Sequence, residues 1–256
     1  MRFFDRRKSG IDVDVKLNDV LKQIRFVNSD KMNEIIYGLP KKFGKKYCLD
    51  VGTGNDDSEN YTTIDMDISC KPDIVGDIRC LFAPSDFYRE KKTDYPDLEH
   101  LQTGMFYYVR LKHVIEHVEW IYHQAMFDWL SNIVSGGGYV EIETPNLRYI
   151  IKMYADQIKI HDSGGMPKFP AGEHNDLDNT KPIDFQRWVN FKLFSGCSPG
   201  DTHHSCFDIY TLCYYLQQHH FTGIVAYNGS TLRVLAIRES NPETDLDSIV
   251  SEYLGE

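Results

Sequence analysis

Residues 48–54, Cys-Leu-Asp-Val-Gly-Thr-Gly, restrict the fold more than any other stretch of this chain. They read as a short buried strand that runs into a turn carrying two glycines. A second apolar stretch, Tyr61 to Ile64, follows and ends in Asp65, eleven residues after Gly54. Glycine lets backbone approach a ligand closely, because no Cβ intervenes.

An acid at the end of the second strand can accept both hydroxyls of a ribose, as in dinucleotide folds. Strand, glycine turn, strand and terminal acid together point to an adenosine-type cofactor. The plain alternative is a tight turn followed by a solvated Asp, and the rest of the chain decides between them.

Apolar positions 17, 20, 21, 24 and 27 predict a helix over 11–38, closed by Gly38-Leu39-Pro40. Strands are expected at Tyr47–Val51, Tyr61–Ile64, Asp73–Val75, Phe106–Leu111 and Tyr139–Glu143, with 84–104 as a long loop. Met126, Phe127, Leu130, Ile133 and Val134 share one face of a helix over 120–135, stopped by Gly136-Gly137-Gly138. A helix is expected over 147–160. Ser205 to Asp208 fits a capping box for a last helix. Asn228-Gly229, between Gly223–Tyr227 and Thr231–Arg238, predicts a hairpin with positive φ at both turn positions. Strands alternating with helices imply a parallel sheet covered on its faces, whose ligands bind at the carboxyl ends of the strands. The segment 161–204 has little periodicity and reads as a lid or substrate-binding insertion.

The chain of 256 residues has 38 acidic and 28 basic residues, a net charge of −10. Such a balance disfavours polyanion binding, so nucleic acid is an unlikely partner. The run Lys41, Lys42, Lys45, Lys46 reads as a solvated loop. No apolar run reaches the length of a membrane span. The basic N-terminus lacks the apolar core of a secretory signal. Six scattered cysteines, with no Cys-x-x-Cys pair, suit a reducing cytoplasmic compartment without structural zinc.

Several pieces, taken in order, resemble the class I S-adenosylmethionine-dependent methyltransferases. They are Leu49-Asp50-Val51-Gly52-Thr53-Gly54, Thr63-Ile64-Asp65-Met66-Asp67 and Ile74-Val75-Gly76-Asp77-Ile78, then His113 to Val118 and Gly136 to Ile142. Thr144-Pro145-Asn146 and the nearly absent helix after the glycine turn resemble the short-linker subtype often found near sugar-processing enzymes. The resemblance covers about residues 45–160 and 205–238. It implies a Rossmann-like three-layer α/β sandwich, with a mostly parallel seven-stranded sheet and a reversed C-terminal strand. The whole of 1–256 would then be a single domain with an N-terminal helical extension, 1–44, and the insertion at about 161–204. It also carries Asp50, Gly52, Thr53, Gly54, Asp65, Met66, Asp77, Ile78 and His113 into an S-adenosylmethionine site. There Gly52 and Gly54 would pass beneath the methionine part and Asp65 would hold the ribose. Ile78 would contact the adenine, Asp77 would take its exocyclic amine, and His113 would line the reactive end. Asp56 stands near the place of the family's third glycine, a departure from the pattern. No Asn/Asp-Pro-Pro-Tyr motif of base-amino methyltransferases follows the fourth strand, and no phosphate-binding Gly-Lys-Ser/Thr occurs.

His113, Glu116 and His117 are spaced i, i+3, i+4, and would share a face if 113–118 were helical. Two imidazoles at i, i+4 suit one metal ion, with Glu116 as a third ligand and His203 or His204 returning to the same place. This resembles the metal sites of the small-RNA 3′-terminal ribose methyltransferases and of the ubiquinone-pathway O-methyltransferases. The same spacing matches an inverted zinc-protease motif, which needs another fold. Without metal, Glu116 braces the turn and His117 faces the acceptor. Methyl transfer to a hydroxyl gains from a neutral histidine base, and the candidates are His117, then His203 or His204. His161, His174, His219 and His220 read as surface or loop residues. Phe185, Trp188 and Phe191 are candidates to stack on an acceptor, or form a small core of the insertion. Three functions follow. The first is methyl transfer to a small-molecule or saccharide acceptor, favouring a hydroxyl. The second is metal-dependent RNA ribose 2′-O-methylation. The third is a non-catalytic cofactor-binding or interaction module.

Overall fold

The computed structural model describes residues 24–54, 59–165, 189, 193–194 and 202–239. Most of the 161–204 segment, with His174, Phe185, Trp188 and Phe191, lies outside them. The described chain builds one sheet. Its strands are β1 Ile24–Phe26, β2 Cys48–Val51, β3 Thr62–Asp65, β4 Ile74–Val75, β5 Phe106–Lys112, β6 Val134–Pro145, β7 Phe221–Asn228 and β8 Thr231–Arg238. The helices are α1 Ser29–Phe43, α2 Arg79–Phe82, α3 Asp86–Lys91, α4 His123–Ile133, α5 Leu147–Asp162 and α6 Ile209–Gln218. The strand order is β1-β7-β8-β6-β5-β2-β3-β4, and β8 alone runs against its neighbours. None of the described helices is long and apolar enough to cross a membrane.

Alternation along the strands sorts the core into two layers. Leu49, Val51, Val109, Leu111, Val140 and Ile142 pack with residues of α4 and α6 on one face. Cys48, Tyr108, Tyr139, Leu235 and Ile237 pack under α1 on the other. The expected three layers are present, and the sheet has eight strands rather than seven. The extra strand lies in the stretch expected as helix. Ile24 pairs with Ile224, and the helix begins only after Asn28, whose side chain accepts the Lys31 N–H at 2.8 Å. The helix also passes Gly38 and Pro40. Pro40 falls in its last turn, and its carbonyl accepts the Gly44 N–H at 3.1 Å. Residues 1–23 of the expected extension lie outside the described chain.

Other boundaries shift for local reasons. Helix α4 ends at Ile133, before the three glycines, which lie inside β6. They absorb the register shift opposite Phe106 and Tyr108, and a Cβ on Gly138 would meet the Tyr107 carbonyl at 3.0 Å. The stretch 84–104 holds α3 and two 3-10 turns, with Leu98 buried against Gly76. The N-cap of α6 is Asp208, which accepts the Thr211 N–H at 2.8 Å. Ser205 instead bonds to His123 Nε2 and the Ile115 carbonyl. The hairpin forms, yet neither Asn228 nor Gly229 takes positive φ.

Candidate functional site

The carboxyl ends of β2, β3, β4 and β5 open into one cleft of about 970 Å³. Its walls include Gly52, Gly54, Asp65, Met66, Asp77, Ile78, His113, His117 and His204. That volume is at the upper end for a small-molecule site. The glycine turn leaves β2 with φ +67° at Gly52 and +53° at Gly54. A Cβ on Gly52 would lie 2.5 Å from Val114 Cγ2, so no larger residue fits there without displacement. Asp65 closes the turn from β3. One carboxylate oxygen accepts the Gly54 N–H at 2.9 Å and the other accepts the Asp67 N–H at 2.8 Å. Each oxygen keeps one further lone pair for a ligand hydroxyl.

Two predicted cofactor residues point elsewhere. Asp50 faces the α1 side of the sheet and holds Arg110 through two bonds of 2.7 and 2.5 Å. The Arg110 guanidinium lies 4.3 Å from the Tyr61 ring. Thr53 is not among the cleft-lining residues, and its hydroxyl is buried without a hydrogen-bond partner among the described residues.

Asp77 lines the cleft but is already engaged. It accepts the Arg79 N–H, Nε and Nη2 at 3.1, 2.9 and 2.9 Å, and Lys91 Nζ at 2.9 Å. Burial disfavours its charge, yet Arg79 and Lys91 hold its pKa below the usual carboxylate range. A carboxylate has about four lone-pair sites, so none remains for an exocyclic amine. The role implied for Asp77 is therefore corrected: it anchors Arg79 and α3 beside the cleft.

The histidine segment is not a helix with one common face. His113 has φ +54°, and only Ile115–His117 form a 3-10 turn. His113 Nδ1 donates to Glu116 Oε1 at 3.0 Å, and Nε2 lies 3.5 Å from Glu143 Oε1. Burial alone would lower its pKa, but the two carboxylates outweigh burial and push it up to about 9. The fully buried Glu116 also accepts the Thr144 hydroxyl at 3.0 Å. Its backbone carbonyl accepts the His204 and Ser205 N–H groups at 2.8 and 3.2 Å, which stitches that segment to the cleft.

His117 Nδ1 lies 3.2 Å from the Thr202 carbonyl. A carbonyl only accepts, so Nδ1 carries a proton, and in the neutral ring the lone pair lies on Nε2. The His203 ring packs edge-on at 4.9 Å. Ligand atoms of Glu116, His117 and His203 lie within 4.8 Å of one another. His203 thus replaces His113 in the metal-ligand set expected from spacing, because His113 is turned to two carboxylates. His219, expected at the surface, is buried against Phe127 and bonds Asp128 at 2.9 Å.

Sequence reasoning missed Glu143, Arg79 and Thr144. Glu143 and Thr144 sit at the end of β6 and Arg79 opens α2, where motif spacing carries no information about their partners.

No protein-family model matches the chain, and no curated protein sequence does. Solved structures resemble it only distantly, at low identity and TM-scores below 0.5. The CurJ carbon methyltransferase gives a TM-score of 0.45 at 10% identity, over 82% of this chain and 54% of its own. A SAM-dependent methyltransferase from Methanosarcina mazei gives 0.41 at 13%, over 81% and 98%. Phosphoethanolamine N-methyltransferase 2 from Haemonchus contortus, solved with S-adenosyl-L-methionine, gives 0.43 at 11%, over 82% and 52%. The chain spans about half the length of the first and third. The strand order, with β8 reversed between β7 and β6, agrees with the mostly parallel sheet and reversed C-terminal strand expected from the sequence.

Proposed function

We propose that the chain transfers a methyl group from S-adenosylmethionine to a hydroxyl of a small-molecule or saccharide acceptor. One observation carries the proposal: the glycine turn, Asp65, His117 and His204 line a single continuous cleft. Bound S-adenosylmethionine supplies a methyl group already activated on a sulfonium. The protein's task is then to hold donor and acceptor in line. Gly52 and Gly54 admit close backbone approach, and Asp65 offers acceptors for the ribose. His117 Nε2 takes the acceptor's proton, its tautomer fixed by Thr202. Calorimetry with S-adenosylhomocysteine should show binding that Asp65→Ala abolishes. Labelled methyl transfer into a fractionated cell extract should vanish with His117→Ala. Absence of any binding sinks the proposal, and binding without transfer to any fraction points to a non-catalytic module.

The Glu116, His117, His203 grouping favours a second reading, in which a divalent metal orients a ribose-type diol of RNA. It predicts metal in the purified protein and loss of transfer on chelation. Transfer that survives chelation removes it.

A further inference from the structure

The His113 ring is held from a distance, through residues on three other elements. Glu143, near the end of β6, is 5% exposed and stands opposite Arg233 in the β6–β8 register. One carboxylate oxygen lies 3.5 Å from His113 Nε2, and the other pairs with Arg233 Nε at 2.5 Å. Arg233 is fixed in turn from α1, where Nη1 donates to Asn33 Oδ1 at 2.6 Å. The Glu143 carbonyl also accepts the His113 N–H at 2.8 Å. A left-handed backbone is strained for a non-glycine residue, and such strain persists where several contacts over-determine it. Here the second carboxylate, Glu116, has its own support from Thr144, whereas Glu143 depends on Arg233 for its charged partner on the far side.

We propose that Arg233 is a positioning residue, which sets the His113 ring against the cleft through Glu143. It lies two strands away from the His113 strand and does not line the cleft. Removing it takes away the charged partner on one side of a buried carboxylate and leaves His113 on the other. Glu143 then re-aims or takes a proton, and His113 loses one of its two grips. Arg233 thereby links α1 and the closing hairpin to the shape of the wall beside Gly52. Only the binding measurement below rests on the methyl-transfer reading; the spectroscopic one does not.

The test uses the full chain labelled with 15N-histidine, with His113 assigned by its loss in His113→Asn. In the parent protein both His113 ring N–H protons should be protected from exchange. In Arg233→Met the Nε2–H protection should vanish while the Nδ1–H, bonded to Glu116, persists. Arg233→Lys should restore part of it. S-adenosylhomocysteine affinity should weaken by about threefold to tenfold, and combination with Glu143→Gln should add little more. Should Arg233→Met fail to fold, Asn33→Ala loosens the guanidinium while leaving its pairing with Glu143, and should partly reduce the same signal. Unchanged His113 ring signals in a folded Arg233→Met or Asn33→Ala overturn the proposal. If no variant or parent binds S-adenosylhomocysteine, the methyl-transfer reading fails while the ring signals still decide the role of Arg233.

Discussion

Asp65 and Asp77 are both acids at the carboxyl ends of adjacent strands, and their surroundings give them opposite tasks. Among the described residues Asp65 accepts from two backbone N–H groups, so it retains acceptor capacity toward the cleft. Asp77 is saturated by two cationic side chains. Asp65→Asn should therefore weaken cofactor binding with little loss of stability, as calorimetry and thermal melts would show. Asp77→Asn should do the reverse, because Arg79 and Lys91 would be left facing a neutral group. Stability of that variant equal to the parent's would contradict the pairing. His113 makes a prediction in pH. Its pKa is raised on folding from its ordinary 6.5 to about 9. The folded state thus holds the proton more tightly, so its contribution is complete below about pH 6.5 and declines as pH rises through 9. Melting temperature should fall across that window in the parent, and the fall should be shallower in His113→Asn.

At the scale of elements, caps and bulges decided what the sequence left legible. The β2–turn–β3 unit, β5, the β6 core and the closing hairpin could be read from apolar runs and glycines, because their signals are local. The helix expected over 11–38 holds from Ser29 onward and is contradicted at Ile24–Phe26, because a three-residue edge strand offers too little alternation to break a helical pattern. The glycine triplet signals a helix stop and a strand bulge equally well, and the packing of Gly138 against the Tyr107 carbonyl selects the bulge. In the site, the turn glycines, Asp65 and His117 could be placed because motif pieces carry them, and His204 because it precedes the last helix. The partners of Asp77, His113 and Asp50 were not, since Lys91, Glu143 and Arg110 reach them from elements distant in sequence. Asn28 tests the cap that defines α1. Asn28→Ala should cost about 1 kcal/mol in denaturant unfolding, whereas Asn28→Asp should keep most of that. Equal stability of Asn28→Ala and parent would mean that the strand-to-helix boundary is fixed by packing alone.

For the whole molecule, the cleft and the charges around it act together on ligand choice. The chain carries a net charge of −10, and Asp65, Asp67 and Asp77 stand on the cleft wall against Arg79 and His113, the latter kept protonated by Glu116 and Glu143. A field of that sign favours a cationic sulfonium over a neutral thioether, and the preference weakens as salt screens the exposed members. S-adenosylmethionine should thus bind more tightly than S-adenosylhomocysteine at low salt, and the ratio of their affinities should shrink as ionic strength rises. Binding also couples to the fold, because β2, β3 and the turns after β2, β4 and β5 all contribute wall residues. A ligand held at about 100 times its Kd stabilises the folded state by about 2.7 kcal/mol, which raises the melting temperature of a domain of this size by roughly 5–10 °C. A titration of either ligand against melting temperature, at low and high salt, measures both effects together. A shift of the predicted size whose salt response is the same for both ligands would leave the cleft as the cofactor site and remove the charge argument. No shift at saturating ligand would remove both.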